Sequence, residues 1–122
     1  MSVTFKIRQV GDVTVMDISG RIVLGEASSS LRDALRDLVT HGDKKILLNL
    51  GDVSYIDSSG VGELVAGFTT VTNRGGQLKL LNLTKRVQDL LQITKLYTVF
   101  DVHDNEAHAL KSFSPSTTSA KL

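Results

Sequence analysis

Ile46-Leu47-Leu48-Asn49-Leu50, followed after a short spacer by Tyr55-Ile56-Asp57-Ser58-Ser59-Gly60-Val61-Gly62-Glu63, is the stretch whose reading decides the fold. The first run is apolar almost without interruption, as in a strand covered on both faces, and this predicts a central place in a sheet. The second run passes from β-forming residues into a helix over residues 59–73. Val61, Leu64, Val65 and Phe68 recur on one side of it, and Gly75-Gly76 ends it. Two hydroxyls and one carboxylate therefore fall where strand becomes helix, a place where polar groups can face a partner.

Upstream, Val3, Phe5 and Ile7 alternate with Thr4, Lys6 and Arg8, and Gly11-Asp12 separates them from a second β-rich run over residues 13–18. This predicts an antiparallel hairpin whose second strand ends at Ser19-Gly20. Over residues 26–40, Leu31, Ala34, Leu35, Leu38 and Val39 recur at helical spacing, with caps available at Ser28, Ser29 and Ser30 and a stop at Gly42. Downstream, residues 77–83 read as a strand, and Thr84 as the cap of a third helix carrying Val87, Leu90 and Leu91. Residues 99–102 read as a short last strand, and Asp104 as the cap of a final helix with Ala107, Leu110 and Phe113. Residues 114–122 hold too little apolar surface to offset ordering entropy and read as a flexible tail.

A hairpin followed by repeated strand-helix units predicts an α/β class: a single domain over residues 1–113, with a mixed, mostly parallel β-sheet, an N-terminal antiparallel hairpin and about four helices. The carboxyl ends of its parallel strands share one edge. Gly20-Arg21-Ile22, Asp57-Ser58-Ser59-Gly60 and Asn82-Leu83-Thr84 are expected to form one surface there.

Composition narrows the function. The 122 residues carry fourteen basic and thirteen acidic side chains, so a net charge of +1 provides no broad attraction for nucleic acid or an anionic membrane. The absence of cysteine excludes disulfides and thiolate chemistry and fits a reducing cytoplasm. No stretch approaches the ~20 apolar residues of a membrane span, and the first residues lack the apolar core of a signal peptide.

The plainest account of the central stretch is structural: Asp57 or Ser58 caps the helix, and Gly60 and Gly62 let it pack closely. The two glycines, however, each lower helix propensity by about 1 kcal/mol relative to alanine, which points to something approaching the backbone. The functional reading of the stretch is a regulatory phosphoserine. At a helix start the phosphate meets free backbone amides and the positive end of the dipole, while its charge opposes binding at an acidic or packed interface. Other chemistries find less support. A dinucleotide fingerprint would need its third glycine at position 65, which is Val65. His41, His103 and His108 lie far from Ser58 in sequence, the nucleophile-elbow pattern is absent, and His103-Asp104 is too small a set for a metal. Lys44-Lys45 and Lys85-Arg86 are short basic pairs of the kind soluble domains expose, and the alternative for the second is that it flanks the serine surface and meets an acidic partner.

Residues 56–62, with the strand before them and Gly75-Gly76-Gln77-Leu78-Lys79-Leu80 after, resemble the STAS domain of bacterial anti-sigma factor antagonists. The resemblance runs from the first hairpin to Phe113 and includes residues 96–102. It implies a partner-switching protein that is not itself an enzyme and needs no cofactor or metal. The unphosphorylated antagonist binds an anti-sigma factor that is also a serine kinase; the kinase modifies the serine after the Asp, here Ser58, and a metal-dependent serine phosphatase restores it. Asp57 carries over as the positioning acid and Gly60 as the turn glycine, with Gly20, Arg21, Ser59 and Thr84 completing the switch surface. The chain departs from the family at Val23, where many members have Asp; Glu26 is the nearest candidate replacement. Accessory subunits of transport complexes and stressosome-like scaffolds share the domain and are the alternative reading.

Overall fold

The computed structural model describes residues 3–113. Its elements run β1 (Val3–Val10), β2 (Val13–Ile22), α1 (Glu26–His41), β3 (Lys45–Ile56), α2 (Ser58–Asn73), β4 (Gln77–Leu81), α3 (Lys85–Ile93), β5 (Val102–His103) and α4 (Glu106–Ser112). The five strands stand side by side in chain order. β1 and β2 are antiparallel, turning at Gly11 with φ 62°, and every later pairing is parallel.

β3 lies at the middle of this sheet, and its apolar run is explained by burial on both sides. Ile46, Leu48 and Leu50 belong to a large core with Leu31 and Leu35 of α1, Val61 and Leu64 of α2, and Val87 and Leu91 of α3. Leu47 points the other way, into a smaller core with Val13, Val15, Leu81, Ala109 and Phe113. Three helices thus cover one face and α4 covers the other.

Several sequence expectations are corrected. β2 does not end at Ser19-Gly20 but continues to Ile22, and β3 continues past Leu50 to Ile56, pairing Arg21 with Tyr55 and Ile22 with Ile56. The two strands absorb irregularities as register shifts between Asp17 and Ser19 and between Gly20 and Arg21. The expected strand over residues 99–102 shrinks to Val102–His103, and β4 stops at Leu81, where Asn82 turns the chain with φ 60°. α1 has no side-chain cap: Gly25 holds the N-cap position, and the Ser28 hydroxyl bonds back to the Gly25 carbonyl from inside the helix. Asn105, not Asp104, caps α4 by accepting from the His108 amide at 2.9 Å. Gly42 ends α1 in the left-handed region, as the pattern predicts. The tail over residues 114–122 lies outside the described residues.

α4 is anchored electrostatically as well as by packing. Arg8 of β1 donates to Asp17 of β2 at 2.7 and 3.0 Å and to Glu106 of α4 at 3.1 and 2.9 Å. These bonds hold both carboxyls below their ordinary range, and Arg8 is raised in turn. A depressed carboxyl contributes stability that is present above its unfolded value near pH 4 and is lost as pH falls through the folded value. Arg8→Gln is therefore expected to lower stability by about 1 kcal/mol at pH 7, the screened value for a half-exposed network. The gap between the urea midpoints of the two proteins should shrink on acidification below about pH 4.

Candidate functional site

The site is built on the junction between β3 and α2. Asp57 has extended backbone and caps α2: its Oδ1 accepts from the Ser59 amide at 3.0 Å, the Gly60 amide at 3.1 Å and the Ser59 hydroxyl at 2.5 Å. Its Oδ2 accepts from the Leu24 amide at 3.0 Å, and its own amide donates to the Ile22 carbonyl at 3.2 Å. Partial burial pushes the Asp57 carboxyl upward, but the Ser59 hydroxyl and the amides of Leu24, Gly60 and Ser59 together outweigh it, so the group is held below the usual carboxylate range. It is ionised at neutral pH, and it ties the end of β2, the following loop and the start of α2 into one unit.

This geometry separates the two serines. Ser59 is half-buried and its hydroxyl is spent on Asp57. Ser58, the first residue of α2, is exposed, and its hydroxyl has no hydrogen-bond partner among the described residues. The expectation that a phosphate on this turn would find free amides is not met at Ser59 and Gly60, because Asp57 already occupies both.

The glycines also divide. A Cβ on Gly60 would lie 2.7 Å from Ile56 Cγ1 and 2.8 Å from both the Ile22 carbonyl oxygen and Ile22 Cγ2, so Gly60 is needed for helix and sheet to meet. Gly62 is exposed with nothing within 4 Å of its Cβ position, and nothing within the described chain requires a glycine there.

Of the remaining predicted residues, Arg21 comes to the site and the others serve it from a distance. Gly20 (φ 109°) and Arg21 are strand residues. Arg21 places its guanidinium 4.8 Å from the centre of the Tyr55 ring. Thr84 caps α3 and bonds the Val53 carbonyl at 3.2 Å, which fixes α3 against β3 but leaves its hydroxyl outside the surface around Ser58. Glu26 is exposed in the first turn of α1 and makes no ion pair among the described residues.

The sequence did not reveal how Tyr55 and α3 combine here. Arg86 lies 4.2 Å from the centre of the Tyr55 ring, so two guanidiniums share one aromatic side chain. Tyr55, Asp57, Ser58, Arg86, Asp89 and Ile93 line a depression of about 350 Å³. Leu24 and Ile93 are 78% and 76% exposed, unusual for aliphatic side chains beside a polar turn. Arg21 and the Lys85-Arg86 pair are the traces of this arrangement in the sequence. His103 instead contacts Asp101 at 3.2 Å and Ser112 at 3.3 Å, and no metal-holding group of three acidic, His or Cys side chains occurs among the described residues.

Fold and site define a class: a small mixed α/β domain that presents a serine turn at the carboxyl edge of its sheet. The chain belongs to the STAS domain family, whose model matches residues 4–109. The anti-sigma-B factor antagonist of Bacillus subtilis is 37% identical to it over 103 residues, covering 84% of this chain and 92% of that protein. Among solved structures, one from Thermotoga maritima matches with a TM-score of 0.83 at 24% identity, covering 89% of this chain and 93% of the other. The phosphorylated form of Bacillus SpoIIAA matches with a TM-score of 0.69 at 22% identity, covering 88% and 97%. These last two likenesses are of fold. No helix among the described residues is long and apolar enough to cross a membrane.

Gly60→Ala is expected to cost about 2 kcal/mol through overpacking against Ile22 and Ile56. Gly62→Ala should gain about 0.5–1 kcal/mol from helix propensity. Urea denaturation of the two variants measures both, and equal effects would remove the distinction drawn between these glycines.

Proposed function

We propose that this chain is an anti-sigma factor antagonist that works by partner switching. In its unmodified form it binds an anti-sigma factor that is also a serine kinase; phosphorylation of Ser58 releases it, and a metal-dependent serine phosphatase restores it. The chain is the substrate of these enzymes, does no chemistry itself, and acts in the cytoplasm. The supporting observation is the contrast between the adjacent serines. Ser58 is exposed with a free hydroxyl on the first turn of a helix, whereas the Ser59 hydroxyl is held by Asp57. The name of the Bacillus subtilis relative, anti-sigma-B factor antagonist, supports the same reading.

The mechanism follows from where the new charge goes. A phosphoserine carries nearly two negative charges at neutral pH. With the Ser59 and Gly60 amides already bonded to Asp57, the helix start has little capacity to absorb them. The charge is therefore presented to whatever covers Leu24, Ser58 and Ile93, where like charge and desolvation weaken the complex. Asp57, Gly20 and Thr84 hold the surface in place, while Arg21, Ser58 and the exposed apolar side chains meet the partner.

Isothermal titration against the cognate anti-sigma factor tests this. Ser58→Ala should bind as tightly as the unmodified protein and resist release by ATP, while Ser58→Glu should bind at least about tenfold more weakly, near 1.4 kcal/mol. Equal affinity of all three would overturn the reading. Mass spectrometry of protein from its own cells should find phosphate on Ser58 and none on Ser59.

A further inference from the structure

Two arginines at the site lack the carboxylate partners that others in this chain have. Arg8 pairs with Asp17 and Glu106, Arg32 with Glu63, and Arg36 with Asp33. Arg21 and Arg86 have no hydrogen-bond or ion-pair partner among the described residues; each rests on the Tyr55 ring, at 4.8 and 4.2 Å from its centre. An exposed guanidinium resting on a half-buried aromatic ring has only a cation–π contact to give up, and a dianionic phosphate accepting two parallel N–H bonds outcompetes that contact. Arg86 and Ser58 line the same depression.

We propose that Arg86 is the receptor for the phosphate carried by Ser58, so that the modified domain closes a charge-assisted contact onto itself. The inference rests on the reading of Ser58 as the modified residue and adds what the domain does with the group. In the unmodified state the guanidinium waits on Tyr55, free to meet an acidic side chain of the partner. In the modified state the phosphate claims it, and the partner loses both an open serine and a cation. The charged groups around this position are Arg21 from β2, Asp57 at the start of α2, and Lys85, Arg86 and Asp89 from α3. Asp57 is occupied by amides and the Ser59 hydroxyl, and Asp89 faces Lys85 at 3.3 Å, which leaves the two stacked guanidiniums as the unspent charges.

Phosphorus NMR of the full chain carrying phosphoserine at position 58, titrated at low ionic strength, reads this directly. A cation bonded to the phosphate favours its dianion, so the second ionisation, ordinarily near pH ~6, should fall in the folded protein. Arg86→Gln should raise it again by about 0.5 unit, roughly threefold in the ionisation constant. Arg86 is exposed, so the variant should retain the wild-type circular dichroism spectrum. The dipole of α2 acts in both proteins and cancels from the comparison. Lys85→Gln, which removes an adjacent charge paired with Asp89, should move the value by less than half as much. The same ionisation in wild type and Arg86→Gln, or an equal shift from Lys85→Gln, would overturn the proposal. Release of the partner by Ser58→Glu alongside an ionisation indifferent to Arg86 would leave the switch standing and sink this inference alone. An Arg86-dependent ionisation together with a Ser58 never modified in cells would do the reverse.

Discussion

The structure around the serine turn depends on one carboxylate. Asp57 divides its two oxygens between elements: one gathers the first turn of α2, the other holds the Leu24 amide beyond β2. The Val23 carbonyl beside it accepts from the Ser28 amide at 3.1 Å, which carries the connection into α1. A neutral side chain of the same shape could cap the helix, but only an ionised carboxylate bonds this many donors strongly at once. The turn is therefore set before any partner arrives, and Ser58 is displayed by a frame that does not include its own hydroxyl.

That frame limits what a modification can do. A phosphate placed among free amides is drawn into the helix end and can reorganise it; here the amides of Ser59 and Gly60 are taken, and Gly60 is wedged against Ile22 with no room for a methyl group. The backbone has little freedom to respond. The signal passes through the charge and side chains at the surface, and the same fold serves the protein with and without the added group.

How much of this could be read from the chain follows from the range of each interaction. Hydrophobic period and turn residues are local, so the hairpin, the doubly buried β3, the three larger helices and the caps at Asp57 and Thr84 were legible. The lengths of β2 and β3 were not, because the apolar run stops at Leu50 while the pairing of Arg21 with Tyr55 and of Ile22 with Ile56 keeps the strands together past it. Asp104 and Asn105 are equally good caps by type, and only the path of the backbone selects Asn105. Ser58 and Ser59 could not be ranked by environment until the Asp57 carboxylate was seen to bond one and not the other. The meeting of Arg21, Tyr55 and Arg86 joins three elements across the sheet edge, and no spacing rule encodes it.

The smaller core has a consequence for how the chain is made. Val13, Val15, Leu47 and Leu81 are covered by Ala109 and Phe113, from the end of the described chain, and Arg8 meets Glu106 across almost its whole length. A ribosome delivering residues in order can assemble β1 to β4 and their three covering helices while this face stays bare, because its cover has not yet been synthesised. The nascent domain therefore passes through a stage with one finished side and one adhesive side. It is most vulnerable to association with its neighbours on the same message in the interval between the emergence of β4 and the docking of α4.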